Sequence, residues 1–287
     1  MLLFTMKPFR FLFLFTAVIA LNSCDIVDGP YSEGANQAPD TTVTYVKKIL
    51  IEDYTGHTCG NCPLAAIALG QVHDLYGSQI VSMGVHAGGF ATPAGSHFPA
   101  DYRNEVSIAL DEYFNVSAVG NPNGILNRRF FNNDPIVGHT DWATKASQLV
   151  TEPAEAWLTI TPGLNLSSRQ LTVEVNSKIL LPLEEGLSMV VYLTEDSIFG
   201  PQKYYGSSEP GEIVENYCHR HVLRGSMNGI WGNPLSAATS FAAGSETNST
   251  FSYTLPVAWN SAKVHVLAVL YRTSTKEVVQ VEEKKIY

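Results

Sequence analysis

The chain has 287 residues, 45% hydrophobic and 16% charged, a globular balance that excludes a disordered or fibrous protein. With a targeting segment removed, about 260 residues remain, enough for two domains that each bury a core. The formal net charge of -9 and the lack of any Lys/Arg cluster exclude broad nucleic-acid binding. At the N-terminus, Lys7 and Arg10 precede an apolar run from Phe11 to Leu21. That run is too short to span a bilayer comfortably, and its basic flank and small residues near its end predict an export signal over residues 1–23. Met6 offers an alternative start, because Met6-Lys7-Pro8-Phe9-Arg10 is the more usual opening.

Leu21-Asn22-Ser23-Cys24 closes the apolar run and resembles the lipobox of bacterial lipoproteins. The resemblance implies that Cys24 is diacylated on sulfur and becomes the first mature residue, and that the partner of this end is a membrane. An ordinary cleaved signal with a cysteine there by chance is the alternative. Residues 24–42, rich in Gly, Pro, Asn, Ser and acid, read as a flexible tether. The expected location is the bacterial cell envelope, at the outer membrane.

From Val43 to Ile51 an extended apolar run ends in Glu52-Asp53-Tyr54-Thr55-Gly56, the pattern of a buried strand. From Pro63 the period changes. Leu64, Ile67, Ala68, Val72 and Leu75 fall on one helical face, and Gly77 supplies the stop. Ile80 to His86 reads as a second strand, Ala87 to Pro99 as an inserted loop, and Asp101 to Phe114 as a second helix. The turn Val119-Gly120-Asn121-Pro122-Asn123-Gly124 leads into an extended Ile125 to Phe131, and Thr140 or Asp141 can cap a closing helix through Leu149. Such alternation predicts an α/β domain over 43–153. Beyond it come strands at 156–161, 170–179, 187–194, 219–224, 250–255, 263–271 and 278–286. They predict an all-β sandwich of immunoglobulin-like type over 154–287.

Besides Cys24 the chain has Cys59 and Cys62, in Cys59-Gly60-Asn61-Cys62, and a lone Cys218. A disulfide across two residues removes little entropy from the unfolded chain, so the pair is better explained by chemistry than by stapling. At a helix start, unpaired N–H groups and the helix dipole favour thiolate, the attacking species in disulfide exchange. Pro63 fits such a first turn. Two alternatives stay open: an inert local disulfide, and a metal held with His57 and His86.

A buried strand ending in CxxC at a helix start, a second strand and helix, and a Gly-x-Pro turn before the next strand resemble the thioredoxin superfamily. The resemblance covers about residues 43–150. It implies that Cys59 attacks, Cys62 resolves the mixed disulfide, Pro122 is a cis-proline against the pair, and Asp53 is a buried acid assisting proton transfer. Thr58 and Asn61 replace the usual Trp and Pro, which bears on redox potential and partner choice. The whole chain looks closer to the outer-membrane protein 28-related lipoproteins. Glu52 to Gly56, Cys59 to Pro63, Tyr113-Phe114-Asn115-Val116, Asn121 to Gly124, Asn127-Arg128, Val222-Leu223-Arg224 and Gly229-Ile230-Trp231-Gly232 carry that likeness. It implies an envelope lipoprotein without fixing an activity.

The remaining candidates read as structural first. His219 and His221, flanking Arg220, would share one strand face, and Cys218 reads as a small buried apolar residue. His73 and His265 have no catalytic partner in sequence. Trp157, Tyr192, Phe251 and Tyr271 read as core. No cofactor is expected. Two functions follow: a thiol-disulfide oxidoreductase acting on envelope proteins or peptides, or a non-catalytic surface binding protein or adhesin that uses the same fold as a scaffold.

Overall fold

The computed structural model describes residues 44–287, so the expected signal segment, tether and lipidated Cys24 lie outside the described residues. Strand β1 (Ile49–Thr55) is followed by helix α1 (Cys62–Tyr76), β2 (Ile80–His86), α2 (Glu105–Phe114), the short α3 (Val116–Val119), β3 (Asn123–Leu126), β4 (Ile136–Gly138) and α4 (Trp142–Leu149). β2 runs parallel to β1 on one side, β3 antiparallel to it on the other, and β4 antiparallel to β3. The second helix starts later than the sequence suggests. Asn104 accepts from the N–H groups of Val106 and Ser107 while the Ser107 side chain returns a bond to Asn104, a capping box that fixes the start at Glu105. The extended run after Pro122 is also shorter, because Asn127 and Arg128 take positive φ and end β3 at Leu126.

The rest of the chain forms β5 (Ala156–Asn165), β6 (Gln170–Ile179), β7 (Leu187–Glu195), β8 (Ile198–Lys203), β9 (Ile213–His219), β10 (Val222–Ser226), β11 (Asn233–Pro234), β12 (Glu246–Thr254), β13 (Val264–Arg272) and β14 (Val278–Lys285). These strands do not close a separate sandwich after residue 153. One nine-stranded sheet runs β14-β13-β7-β10-β2-β1-β3-β4, with β11 beside β7, and residues 44–287 form one compact unit. The joint is the open edge of β2, where Val222 of β10 lies parallel beside Gly84 and the Gly84 N–H donates to His221 O at 2.8 Å. An unpaired parallel edge would leave buried peptide groups without partners, and β10 supplies them. β7, buried at every position, reads as a central strand covered on both faces.

Period-two alternation sorts the side chains of this sheet. Leu50 and Tyr54 of β1 join Val190 and Tyr192 of β7 and Leu267 and Val269 of β13 in a core shared with Val106, Leu110 and Phe114 of α2. On the opposite face Ile49 and Ile51 pack under α1 and α4 through Leu69, Val72, Trp142 and Ala146. Further along that face, β5, β6 and β12 form a three-stranded sheet whose Leu158, Val173 and Val175 pack on Met189, Val191 and Leu193. The sandwich expected of the second half is thus present, β5-β6-β12 packing on β7 and β13, but it is not a separate domain, because its larger sheet continues through β10 into β2-β1-β3-β4 of the first half. Among the described residues no helix is long and apolar enough to cross a membrane.

Candidate functional site

β1 ends at Thr55 and delivers the chain to the cysteine loop at the carboxyl end of the parallel pair. Cys59 and Cys62 are joined in a disulfide, with Cα atoms 5.4 Å apart. Helix α1 begins at Cys62, with Asn61 at the N-cap and Pro63 in the first turn. Cys62 therefore stands at the positive end of the helix, and Cys59 lies in the turn before the cap, where the sequence had placed the helix start. The buried face of α1 also differs from expectation. Ala65, Leu69 and Val72 face the sheet, while Leu64, Ile67 and Leu75 are exposed. Seating Cys62 against the end of β1 rotates the helix so that the larger apolar residues turn outward.

Both cysteines are covered, Cys59 being 2% and Cys62 3% exposed. The cover comes from a hairpin of β8 and β9 that stands off the main sheet. Lys203 N–H donates to His57 O at 2.8 Å and Tyr205 N–H to Gly60 O at 2.9 Å. The Gln202 amide donates to Cys59 O at 2.9 Å and to Gly56 O at 3.3 Å. A Cβ at position 60 would stand 2.6 Å from the Tyr205 ring, so only glycine lets the ring lie this close. From the other side Phe90 O accepts from the backbone N–H and the hydroxyl of Thr58, and the His57 ring stacks on Phe98. The Asn121–Pro122 peptide is cis, and Pro122 precedes Asn123, which pairs with Tyr54 at the same end of β1.

Behind the disulfide is a cavity of about 570 Å³ that reaches Cys62 but not Cys59. One wall is α1, through Pro63, Ile67 and Gly70; the other is Tyr217 to His221 at the end of β9. Asp53, His86 and His219 line its inner end. Asp53 Oδ1, both ring nitrogens of His86 and His219 Nε2 are buried without a hydrogen-bond partner. Burial alone pushes the Asp53 carboxyl up to about 7, because no cation offsets the loss of water. Burial likewise holds His86 well below its usual range and brings His219 down to about 4, the neighbouring histidines adding to the effect. These groups form a mostly neutral polar end to a cavity that is apolar along Pro63, Ala66, Ile67 and Leu69 and is also lined by His73, Asp74 and His221.

The structure thus brings Asp53, Cys59 and Cys62 together, and gathers His57, His86 and His219 with Tyr102 at ring-centroid spacings of 5.0 to 5.8 Å. His219 and His221 do not share a strand face. His219 ends β9, whereas His221 takes positive φ and stacks at 6.0 Å on His73, whose Nε2 bonds Ser82 Oγ. Cys218 is a free, half-buried thiol beside the cavity rather than a core residue. Among the described residues, no three or more His, Cys, Asp or Glu converge as metal ligands would. Gln202, Tyr205 and Tyr217 escaped the sequence reading. Gly200-Pro201 interrupts a weak strand pattern, and nothing local indicates that this hairpin folds back across 140 or so residues onto the cysteine loop.

Comparison with solved structures gives HBP35 of Porphyromonas gingivalis at TM-score 0.63 and 17% identity, over 85% of this chain and 76% of that one. A protein of Agrobacterium tumefaciens follows at TM-score 0.51 and 14% identity, over 85% of this chain and 96% of that one. These likenesses concern the fold. A domain of the outer membrane lipoprotein Omp28 from Porphyromonas gingivalis is 21% identical over 47% of this chain and 90% of its own, at TM-score 0.31. No curated protein matches the chain. The family model described as Outer membrane protein Omp28 matches residues 107–287, well over half of the sequence, and the chain belongs to that family.

Proposed function

We propose that this protein is a thioredoxin-like thiol-disulfide exchanger of the cell envelope, tethered through lipid on Cys24 and working through Cys59 and Cys62. The observation that carries the reading is the disulfide at the start of α1, its Cys62 sharing a cavity with the orphaned Asp53 carboxyl, which burial pushes up to about 7. A carboxyl so poised can take a proton from a thiol in one step and return it in the next. The parallel β1-α1-β2 unit followed by the cis-proline and β3-β4 hairpin supports a thioredoxin-like description of this half. Envelope proteins or peptides are the partners the resemblance implies, and they would have to pass the β8–β9 hairpin. That hairpin favours a second reading, in which the disulfide is sealed and the protein binds other surface molecules without exchange.

Reduction of a small disulfide coupled to NADPH through an external thioredoxin system separates the two readings. Wild type and Cys218→Ser are expected to turn over, and Cys59→Ser/Cys62→Ser to be inactive. A disulfide that resists dithiothreitol until the chain is unfolded would leave the sealed scaffold standing.

A further inference from the structure

We infer that the cavity beside Cys62 is a binding site for a small disulfide or thiol, and that exchange proceeds through Cys62 there rather than through Cys59. The inference rests on the exchange reading above and assigns its route and substrate class. Cys59 has no open approach, because Gln202 and Tyr205 lie over its turn and bond its backbone. Cys62, in contrast, borders a cavity of about 570 Å³, within the range that holds small ligands and well below what a folded partner needs.

The wall offered by α1 is built for a guest. Pro63, Ile67 and Gly70 step along one helix face; Ile67 is 53% exposed although apolar, and a Cβ built at Gly70 meets nothing within 4 Å. At the far end Asp53, His86 and His219, all at least nine-tenths buried, present polar atoms without protein partners. Buried polar atoms in native proteins are nearly always satisfied by protein, water or ligand, so their convergence beside a sulfur marks a recognition point. A ligand with an apolar body and a hydrogen-bonding end matches Pro63 and Ile67 on the α1 wall and the unpartnered polar groups at the far end.

In the dithiol form, Cys62 gives its proton to the Asp53 carboxylate and its sulfur attacks one sulfur of the small disulfide. The bond between the two ligand sulfurs breaks, and the departing thiolate takes the proton back from Asp53. Cys59, losing its proton to water, then attacks Cys62 Sγ; the mixed disulfide breaks, the second ligand thiolate leaves and is protonated by water. The protein dithiol is oxidised by two electrons and the ligand disulfide is reduced to two thiols. The reverse sequence starts with a small thiolate attacking Cys62 Sγ.

The test is competitive labelling of the reduced full-length protein with monobromobimane, mapped by mass spectrometry. Cys62 is expected to label faster than Cys59 by about tenfold or more. In Gly70→Trp, whose side chain enters the cavity, Cys62 labelling should fall about tenfold while Cys59 labelling stays as in wild type. Cys59 labelling first, or both at equal rates, would overturn the route through Cys62 and leave exchange itself intact. If neither sulfur labels in the folded protein, the inference and the exchange reading fail together. Unchanged Cys62 labelling in a Gly70→Trp protein with wild-type circular dichroism would overturn the cavity as the path.

Discussion

Glu52 and Asp53 are neighbours on β1, both buried, and they face opposite sides of the sheet with opposite outcomes. Glu52 meets Arg128, whose Nη2 donates to Oε1 at 2.8 Å and whose Nε lies 3.2 Å from Oε2, with Tyr192 also accepting from the guanidinium. The same guanidinium stands 5.5 to 5.7 Å from the Phe114, Trp231 and Tyr271 ring centres. Trp231 O and Ile230 O in turn accept from the Tyr271 and Tyr192 hydroxyls, so one ion pair ties β1, β7, β13 and the Gly229–Gly232 loop together. Asp53 has no such partner. The difference teaches what surroundings do to a buried acid: one with its counterion in place organises the joint between the two halves, and one left alone has its pKa pushed up to about 7, as the proposed exchange requires of a proton carrier.

Arg128→Met should break the comparison most severely. It strands the Glu52 carboxyl in a fully buried site, with a loss of about 3–5 kcal/mol expected in urea unfolding. Glu52→Leu/Arg128→Met should recover most of that loss, since an apolar pair of similar volume has no charge to desolvate. A double variant as weak as the single would show that the rings around Arg128, not its charge pairing, carry the stability. Asp53→Asn should act in the other direction. Because folding raises the Asp53 pKa from 3.8 to about 7, its contribution is favourable below about pH 4 and is lost as pH rises through 7. The variant should therefore be more stable than wild type at about pH 8, by up to about 4 kcal/mol, and equal to it below pH 4. It should at the same time flatten the rise of Cys62 reactivity near pH 7. A pH-independent stability difference would show that Asp53 is not a buried carboxyl without a counterion.

How much of this was legible in the sequence follows from where the signals are local. The CxxC pair, the turn around Pro122 and the Gln170–Ile179 strand are written in neighbouring residues, and the structure has them at those positions, while the strand before the pair begins later than its apolar run, at Ile49. The joining of the sandwich's larger sheet to β2 is not written locally, because alternation along β7, β10 and β13 tells which face each residue takes but not which edge the strand joins. The exposed Leu64 and Ile67 misled for a related reason: on a short helix with apolar residues around most of its circumference, only the docking at Cys62 decides which stripe is buried. The Arg128 pair was visible only as the Asn127-Arg128 motif of the family resemblance, with no local hint that Glu52 was its partner.

His219 gives a finer test of the neutral end of the cavity. Its pKa falls from 6.5 to about 4, so its contribution is full above pH 6.5 and is lost as pH falls through 4. This slope opposes that of Asp53 over much of the same window, and His86 acts in the same direction as His219. His219→Gln should remove up to about 3 kcal/mol of acid destabilisation between pH 6.5 and 4, leaving the opposed slopes of Asp53 and His86 to offset each other in thermal melts across that range. Asp53→Asn should instead steepen the loss of stability toward acid, since both histidines then act unopposed. Melts in which either substitution leaves the profile unchanged would mean that water reaches these groups freely.

The smallest effect tests the cover on Cys59. Gln202→Ala removes the amide that bonds Gly56 O and Cys59 O, costing about 1–2 kcal/mol, and loosens the hairpin over the cysteine turn. Monobromobimane labelling of Cys59 in the reduced protein should then rise toward that of Cys62; because Gln202 and Tyr217 also line the Cys62 cavity, the quantity read is the ratio of the Cys62 rate to the Cys59 rate, which falls. Hydrogen exchange at the Tyr205 N–H, which bonds Gly60 O in the wild type, reports whether the hairpin has in fact loosened. Faster exchange there without faster labelling of Cys59 would mean that the turn itself, rather than the hairpin, shields the sulfur. The asymmetry between the two cysteines would then be a property of the CxxC loop and not of the cover the C-terminal half lays over it.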